Sequence, residues 1–428
     1  MPTRRAFLKS SGLGLLALGV GAGSGPRFLH RAAWAAQAPT GRRKTLVAIF
    51  QRGAMDGLAA VPPIDEQSLR ELRPRLAMSA ASSAARGGAA EQQLFDLGVG
   101  FGLHPAFEPL LPLWRDRRLA VVHAVGSPDP TRSHFDAQDY MEAGVPGDKG
   151  TRSGWLNRVA GELGHEATPL RAVSMTSALP KSLYGPAPAL AVSRLEDFRL
   201  AGDLPGAKPG GSAAAQGGFE DLYRRTSQEL LRETGAETFE AAEALAAIAR
   251  EAGRGADRGY PPSPLGRALM EIALMIRADV GLEVAFAESP GWDTHVRQGT
   301  TNGSFAQRAR DLASAIAAFW ADLGERADDV VVLTMTEFGR TVRENGSAGT
   351  DHGHGSCLFV LGSAVDGCKV HGEFPGIAPD ALYEGRDLAV TTDFRAVFSE
   401  VAVRHLGVGD GSTLFPGWRG ATLPLFRG

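Results

Sequence analysis

Residues 45–50 read TLVAIF, an apolar stretch without a charged residue. A run of this length without a charged residue is typical of a strand that is buried on both faces of a sheet. Five later runs are similarly apolar, namely LAVVHAV (119–125), LRAVSMT (170–176), LEVAFAE (282–288), VVVLTM (330–335) and CLFVLG (357–362). Together they predict a mostly parallel central sheet, because strands covered on both faces are characteristic of parallel sheets.

Helical patterns alternate with these strands. The segments 263–278 and 305–323 carry apolar residues at three- and four-residue spacing, which is the repeat of an amphipathic helix. Strand–helix alternation favours an α/β fold with helices on both faces of the sheet. Residues 177–260 are expected to form a helical and loop insert that contains the glycine-rich stretch 206–218, and 79–90 is expected to be a surface loop.

The first 35 residues have the features of an export signal. Residues 3–9, TRRAFLK, match the twin-arginine pattern, and an apolar stretch and the small-x-small site Ala33–Ala35 follow. The apolar stretch is shorter than the roughly 20 residues that span a bilayer. We therefore expect the twin-arginine machinery to export a periplasmic domain that spans 36–428, although an uncleaved anchor is the alternative.

Charge and cysteine content limit the partners. The chain has 45 basic and 48 acidic residues, and removal of the signal takes away basic residues only. The remaining acidic excess argues against a nucleic-acid partner, and no later segment is apolar enough to span a membrane. Cys357 and Cys368 either pair in an oxidising compartment or serve as two small core residues.

Carboxylates and imidazoles stand where the predicted strands end or begin. They are Asp56 after the first strand, Ser133 and His134 after the second, Asp293 and His295 after the fourth, Glu337 and Arg340 after the fifth, and Asp351, His352 and His354 before the last. In open α/β sheets ligands bind at the carboxyl ends of the strands. Asp, Glu and His suit Zn²⁺, Mn²⁺ or a similar ion, so we expect one or two divalent metals there.

Each of these residues also has a structural interpretation. Asp56 before a glycine is a common turn residue, and Ser133 is a common helix N-cap. Glu337 and Arg340 could form a local ion pair, and the histidines of GTDHGHGS (349–356) could line a solvated loop. His104 is expected to be a buried histidine that caps the turn after it.

Six segments carry a family resemblance: QRGAMDGL (51–58), GLHPAFEPLLPLW (102–114), TRSHFDAQDYME (131–142), GWDTH (291–295), TEFGRT (336–341) and TDHGHGS (350–356). On these segments the chain resembles the bacterial DUF1501 family over nearly all of its mature length. That family is similar to the alkaline phosphatase and sulfatase superfamily, which implies a three-layer α/β sandwich with metals at the carboxyl ends of the strands. The resemblance also implies roles for particular residues: Asp56 as the first metal ligand, Ser133 or Thr131 as nucleophile, and Asp293 with His295 as a pair on one metal.

Two assignments remain open for the other ligands. Either Asp351 and His352 form the Asp-His dyad of the superfamily and His354 is the last ligand, or Glu337 and Phe338 stand in the place of that dyad. In the second case Phe338 cannot bind a metal, and His352 or His354 is the final ligand.

The expected function is that of an exported metal-dependent hydrolase of small phosphate or sulfate esters. A metal-activated serine or water would be the nucleophile, with Ser133 in that role and Arg340, Arg132 or Arg152 as the clamp on the anionic group. His134 is a candidate acid or base, but it could instead be a metal ligand or have neither role. The alternative is a non-catalytic exported protein for metal binding or assembly that keeps the phosphatase-like fold.

Overall fold

The computed structural model describes residues 42–80, 93–165, 167–195, 248, 258–409 and 411–428. The predicted export signal lies outside the described residues, as do most of the predicted surface loop at 79–90 and most of the insert at 177–260. No helix within the described ranges has the length and apolar character needed to cross a bilayer.

Strands form one large sheet and one small one. In chain order they are β1 (Thr45–Arg52), β2 (Ser79–Ala80), β3 (Gln93–Asp96), β4 (Gly102–Leu103), β5 (Leu119–Gly126), β6 (Ala172–Ser174), β7 (Leu190–Ala191), β8 (Val284–Pro290), β9 (Val330–Met335), β10 (Ser356–Gly362), β11 (Lys369–His371) and β12 (Thr392–Asp393). The large sheet has the order β11-β5-β10-β9-β1-β8-β6-β7, with β12 also paired to β5, and β2-β3-β4 form the small sheet. The strand predicted at 170–176 is shorter than expected, since β6 covers only Ala172–Ser174.

The large sheet is parallel except at β10, which runs antiparallel to both of its neighbours, β5 and β9. β1 pairs in parallel with β8 and β9. The start of β10 therefore lies at the edge where β1, β8, β9 and β5 end. This reversal places the segment before β10 beside the segments that follow the other strands.

Helices cover both faces of the sheet. In chain order they are α1 (Gly57–Ala60), α2 (Gln67–Leu72), α3 (Leu111–Arg115), α4 (His134–Ala143), α5 (Trp155–Glu162), α6 (Pro264–Arg277), α7 (Ser304–Leu323), α8 (Phe394–Val401) and α9 (Gly411–Leu414). Single-turn and irregular helices lie at Pro105–Leu110, Lys181–Leu183, Gly324–Asp329 and Ala402–Leu406.

Alternate residues of β1 separate the two layers of the core. Val47 and Ile49 pack in one cluster with α3, α6 and α7, whereas Leu46, Ala48 and Phe50 pack in the other with α5 and α8. β1 is thus buried on both faces, as its apolar sequence predicts. The predicted α/β class, a mostly parallel sheet between helical layers, is confirmed.

The two cysteines are free thiols in the structure. Cys357 lies on β10 opposite His123 of β5, and the backbone N–H of Cys368 donates to Leu119 on the same strand. β5 therefore lies between β10, which contains Cys357, and β11, which begins directly after Cys368. Burial raises the pKa of the Cys357 thiol, so it behaves as a small core residue.

Among the buried histidines of the described residues, three have the same hydrogen-bond arrangement: His104, His123 and His405. In each, Nε2 bonds a backbone carbonyl, which can only accept, so this nitrogen carries the proton. Nδ1 of His104 accepts from the N–H of Ala106 and caps the helix at Pro105–Leu110, as the sequence predicts. Burial lowers the pKa of each of the three to about 4.

Because these histidines are buried, we expect the folded protein to lose stability in mild acid. The unfolded chain binds protons at these rings below about pH 6.5, whereas the folded chain does so only near pH 4. The stability they contribute is complete above pH 6.5 and is lost as the pH falls towards 4, with a slope of up to about 1.4 kcal/mol per pH unit for each ring. Urea unfolding at pH 7.5 and pH 5 measures this slope.

His123→Gln is the matched variant, because glutamine keeps a neutral donor and acceptor but does not titrate. We expect its free energy of unfolding to depend less steeply on pH between 5 and 6.5 than that of the wild type. Equal slopes in the two proteins would contradict the assignment of His123 as a neutral buried ring.

Candidate metal centre

The side chains at the carboxyl edge come from three segments of the chain. His134 is the first residue of α4, whose N-cap is Ser133. Asp293 and His295 follow β8, and His352 precedes β10. Because β10 is reversed, all three segments meet at one edge of the sheet.

His134, Asp293 and His352 form a compact group. One ligand atom from each, an imidazole nitrogen or a carboxylate oxygen, lies within 4.8 Å of the others. Oδ1 of Asp293 is 3.5 Å from Nε2 of His134 and 3.4 Å from Nε2 of His352. Nε2 of His295 is 3.0 Å from the same oxygen and 2.9 Å from Nε2 of His352. Nε2 of each of the three histidines thus lies within 3.5 Å of Oδ1 of Asp293, and His134, Asp293 and His352 are the three residues whose ligand atoms are all mutually close.

Nδ1 of each of the three histidines, His134, His295 and His352, forms a hydrogen bond to an oxygen. Nδ1 of His134 bonds the carboxylate of Glu337 at 2.8 Å, and Nδ1 of His295 bonds Asp351 at 2.9 Å. Nδ1 of His352 bonds the carbonyl of Arg132 at 2.7 Å. A carbonyl or an ionised carboxylate only accepts, so each Nδ1 carries a proton, which leaves Nε2 of His134 and of His352 able to present a lone pair. Nε2 of His295 differs, because it also faces the carboxylate of Asp293 at 3.0 Å.

These lone pairs fit a divalent cation. Nε2 of His295 and Nε2 of His352 are 2.9 Å apart, a spacing that requires a proton or a cation near both nitrogens. Nε2 of His134 is buried and has no hydrogen-bond partner among the described residues. Ligands at the usual Zn–N distance of 2.0–2.1 Å are about 3.3 Å apart in a tetrahedral site. The donor spacings and the orientation of each ring by an oxygen acceptor match such a site.

Charges around the group keep its carboxylates ionised. Burial acts to raise the pKa of Asp293, but the hydrogen bond and charge of Arg340 hold it below its ordinary value. The same balance holds for Glu337, where hydrogen bonds from His134 and Gln138 outweigh burial and lower its pKa. The bond to Glu337 raises the pKa of His134, whereas burial lowers that of His352.

A family model matches most of the chain. The model described as "Protein of unknown function (DUF1501)" matches residues 118–415. The chain belongs to the DUF1501 family. The match covers α4, all the candidate ligands of the group and β10, but begins after the segments at 51–58 and 102–114 that also carry the resemblance. A comparison with curated proteins finds no match.

Solved structures similar to this DUF1501 protein are distant. A protein in the alkaline phosphatase superfamily from Vibrio parahaemolyticus is 12% identical, with a TM-score of 0.32 over 78% of this chain and 63% of that chain. The lipoteichoic acid synthase LtaP from Listeria monocytogenes is 9% identical, with a TM-score of 0.33 over 82% and 75% of the chains. The PsFucS1 sulfatase from Pseudoalteromonas sp. is 10% identical, with a TM-score of 0.35 over 93% and 76%. This chain thus spans less than two thirds of the first of them.

Glu337 and Phe338 of the DUF1501 domain do not act as a ligand pair. Glu337 is fully buried, and its Oε1 accepts from the N–H of Gly53, from Gln138 and from His134. Its place is behind His134, where it orients the ring. Phe338 stacks on the ring of His134, with centroids 5.0 Å apart, and fills the space beside it. The prediction of Glu337 as a direct ligand is not supported by this geometry.

Asp351 and His354 also lie outside the group of donor atoms. Asp351 accepts from His295 and from the amide of Asn345, so it orients a ligand. His354 stacks on Tyr383, with centroids 4.4 Å apart, and its ring is not part of the group. Of the two histidines in GTDHGHGS, only His352 turns into the site.

Asp56 is the clearest correction. Its carboxylate bonds Nη1 of Arg73 at 2.8 Å, Nε2 of Gln298 at 2.7 Å and the backbone N–H of Ala59, which makes it the N-cap of α1. Asp56 and Arg73 are each only 1% exposed. The carboxylate therefore balances a buried guanidinium, and the structure does not bring it into the group around Asp293.

The predicted catalytic residues have different positions as well. Arg340 is buried, and its guanidinium bonds Asp293 and four backbone carbonyls, so it holds a ligand and does not face a substrate. Arg132 pairs with Asp387 and Glu384. Ser133 is half-buried at the N-cap of α4, where its hydroxyl accepts a long 3.5 Å bond from Asp136.

Sequence reasoning missed Gln138 and Arg73. Gln138 is four residues after His134, and this helical spacing places both on one face of α4. The spacing is a signal that a search for metal ligands overlooks, because amides are not expected to be ligands. Arg73 lies in a polar segment without a distinguishing pattern, and only the fold brings it to Asp56.

Mutations can test whether Asp56 and Asp293, both predicted metal ligands, have different roles. Arg73→Ala leaves Asp56 buried without its cation, and we expect it to lower the free energy of unfolding by about 3–5 kcal/mol while zinc affinity stays unchanged. His352→Ala should have the opposite effect, with lost zinc affinity and a much smaller change in unfolding. Chemical denaturation and zinc titration of both variants measure this. A large loss of zinc affinity in Arg73→Ala would return Asp56 to the metal site.

Proposed function

We propose that this DUF1501 protein is an exported, metal-dependent hydrolase of phosphate or sulfate esters. The twin-arginine pattern of residues 3–9 supports export to the periplasm. That route carries folded proteins, which suits a protein that binds its metal before export. The substrate class rests on the implied relation of the family to phosphatases and sulfatases and on the chemistry of the site.

One observation carries the proposal: ligand atoms of His134, His352 and Asp293 lie within 4.8 Å of one another, while Nδ1 of each of the two histidines is held by an oxygen. His134, His352 and Asp293 would hold a divalent ion such as Zn²⁺ or Mn²⁺, with His295 beside them. Such an ion, when bound, supplies Lewis acidity and positive charge for the anionic oxygens of an ester. His134 thus belongs to the ligand set and is no longer the candidate acid or base.

Ser133 is the residue best placed to act as nucleophile. It directly precedes His134 in the chain and stands at the N-terminus of α4, where free backbone N–H groups and the helix dipole favour an anion. Among the described residues, its hydroxyl has one hydrogen bond, a long one accepted from the backbone N–H of Asp136, so the hydroxyl can turn towards a substrate. Attack by this hydroxyl, or by water, would displace the alcohol from phosphorus or sulfur.

A second function, metal binding without turnover, is favoured by Phe338. This ring stacks on His134, and in one of the two assignments that the resemblance leaves open it replaces the imidazole of the superfamily dyad. The guanidinium groups of Arg340 and Arg132 are also engaged by protein partners and not available to clamp an ester in this arrangement. A protein of this kind would keep one metal for binding or assembly.

Metal analysis and ester assays separate the two functions. We expect the protein purified from the periplasm to hold a divalent ion and to hydrolyse an aryl phosphate or an aryl sulfate. Ser133→Ala should keep the ion and reduce turnover by at least about a hundredfold if Ser133 is the nucleophile. Ser133→Thr is the control, because it keeps both a hydroxyl and an N-cap.

Three results would change the proposal. A bound ion without turnover of either ester would favour the second function. Full turnover in Ser133→Ala would make water the nucleophile. The absence of any ion in purified protein, with none taken up on titration, would remove both functions.

A further inference from the structure

A polar stripe runs along one face of α4. His134, Gln138 and Glu142 stand at four-residue intervals, so they follow one another along the helix surface. The stripe faces the ends of β1 and β8, where Arg52 and Glu288 lie. Polar groups in a position that is only partly open to water need partners, and each member of the stripe has one.

Arg52 links the members of the stripe to one another. Its Nη1 donates to Oε1 of Gln138 at 2.9 Å, and its Nη2 donates to Oε1 of Glu142 at 2.9 Å. Its Nε donates to Glu288 at 2.7 Å. The other carboxylate oxygen of Glu142 accepts from the N–H and the hydroxyl of Ser182. Arg52 is thereby held in place by two carboxylates and cannot easily turn away from Gln138.

These bonds determine the orientation of the Gln138 amide. A guanidinium only donates, so the amide oxygen must face Arg52 and the amide NH₂ must face Glu337. Nε2 of Gln138 donates to Oε1 of Glu337 at 2.8 Å. A reversed amide would place NH₂ against Arg52 and an oxygen against a carboxylate, which loses both hydrogen bonds.

Glu337 passes this orientation on to His134. Its Oε1 accepts from Gly53, from Gln138 and from Nδ1 of His134, so the carboxylate is fixed on three sides. A fixed acceptor at Nδ1 keeps the proton on that nitrogen and leaves Nε2 free. Nε2 is the atom that lies 3.5 Å from Asp293 in the candidate metal group.

We propose that Arg52 and Gln138 are positioning residues that hold His134 in its Nδ1–H tautomer and thereby set the affinity of the site for a divalent cation. The effect on affinity rests on the proposed function, whereas the effect on the tautomer does not. Loss of a group that orients a ligating histidine commonly weakens metal binding about 10- to 100-fold.

Two variants of Gln138 and one of Arg52 test the proposal. Gln138→Leu removes the donor to Glu337, and Gln138→Glu keeps the shape but replaces that donor with an acceptor. Arg52→Met removes the group that orients the amide. Asp139→Asn is the matched control, because it lies on the same helix but pairs outside the stripe, with Lys181. Thermal unfolding without metal shows whether each variant is folded.

Two measurements on these proteins are independent. Nitrogen-15 NMR of the metal-free protein, with the His134 signals assigned from His134→Ala, reports which ring nitrogen carries the proton. Competition with a chromogenic chelator reports the zinc affinity. In the wild type and in Asp139→Asn we expect the Nδ1–H form, and in the three test variants a mixture with the Nε2–H form and zinc binding about 10- to 100-fold weaker.

The outcomes separate this inference from the proposed function. An unchanged tautomer and a zinc affinity within twofold of the wild type in all folded test variants would overturn the inference. A changed tautomer in the variants of a protein that binds no zinc even as wild type would overturn the proposed function and support the positioning role.

Discussion

The candidate site depends on one buried side chain, Arg340. It comes from the segment after β9, and it bonds the carbonyls of Gly53 and Ala54 after β1, of Trp292 after β8 and of Thr350 before β10. Its remaining bond is to Asp293. One guanidinium therefore ties together four segments at the carboxyl edge, and a buried cation with so many acceptors is stable only while all of them stay in place.

From this constraint the geometry of the site follows. Asp293 is fixed by Arg340, and three histidines are turned towards it because their other nitrogens are bonded to Glu337, Asp351 and a backbone carbonyl. The ring orientations do not depend on a ligand, since each is set by a protein oxygen. A site that is arranged in advance loses little conformational entropy when it binds an ion.

The sequence predicts the layers of the fold well, because long apolar strands and amphipathic helices have distinct periods. β1, β9 and α7 lie within two residues of their predicted bounds. Reversal of β10 is not visible in CLFVLG, since a buried strand has the same composition in either direction. The histidine-rich segment nevertheless reaches the predicted edge, because it precedes a reversed strand instead of following a parallel one.

At the site, residue types predicted which segments lie together but not the role of each side chain. Asp293, His295 and His352 lie together, but Asp56 is paired with Arg73, and Glu337, Asp351 and Arg340 orient His134, His295 and Asp293. A carboxylate after a strand has the same sequence signature in all these roles, and only its partners in space decide between them. Those partners, such as Gln138 and Arg73, come from distant segments of the chain.

Anomalous diffraction at the zinc edge, from crystals of the protein grown with zinc, would locate a bound ion relative to these side chains. We expect a peak within bonding distance of Nε2 of His134, Nε2 of His352 and a carboxylate oxygen of Asp293. A zinc peak at Asp56 with none beside Asp293, or crystals without any zinc peak, would contradict this expectation.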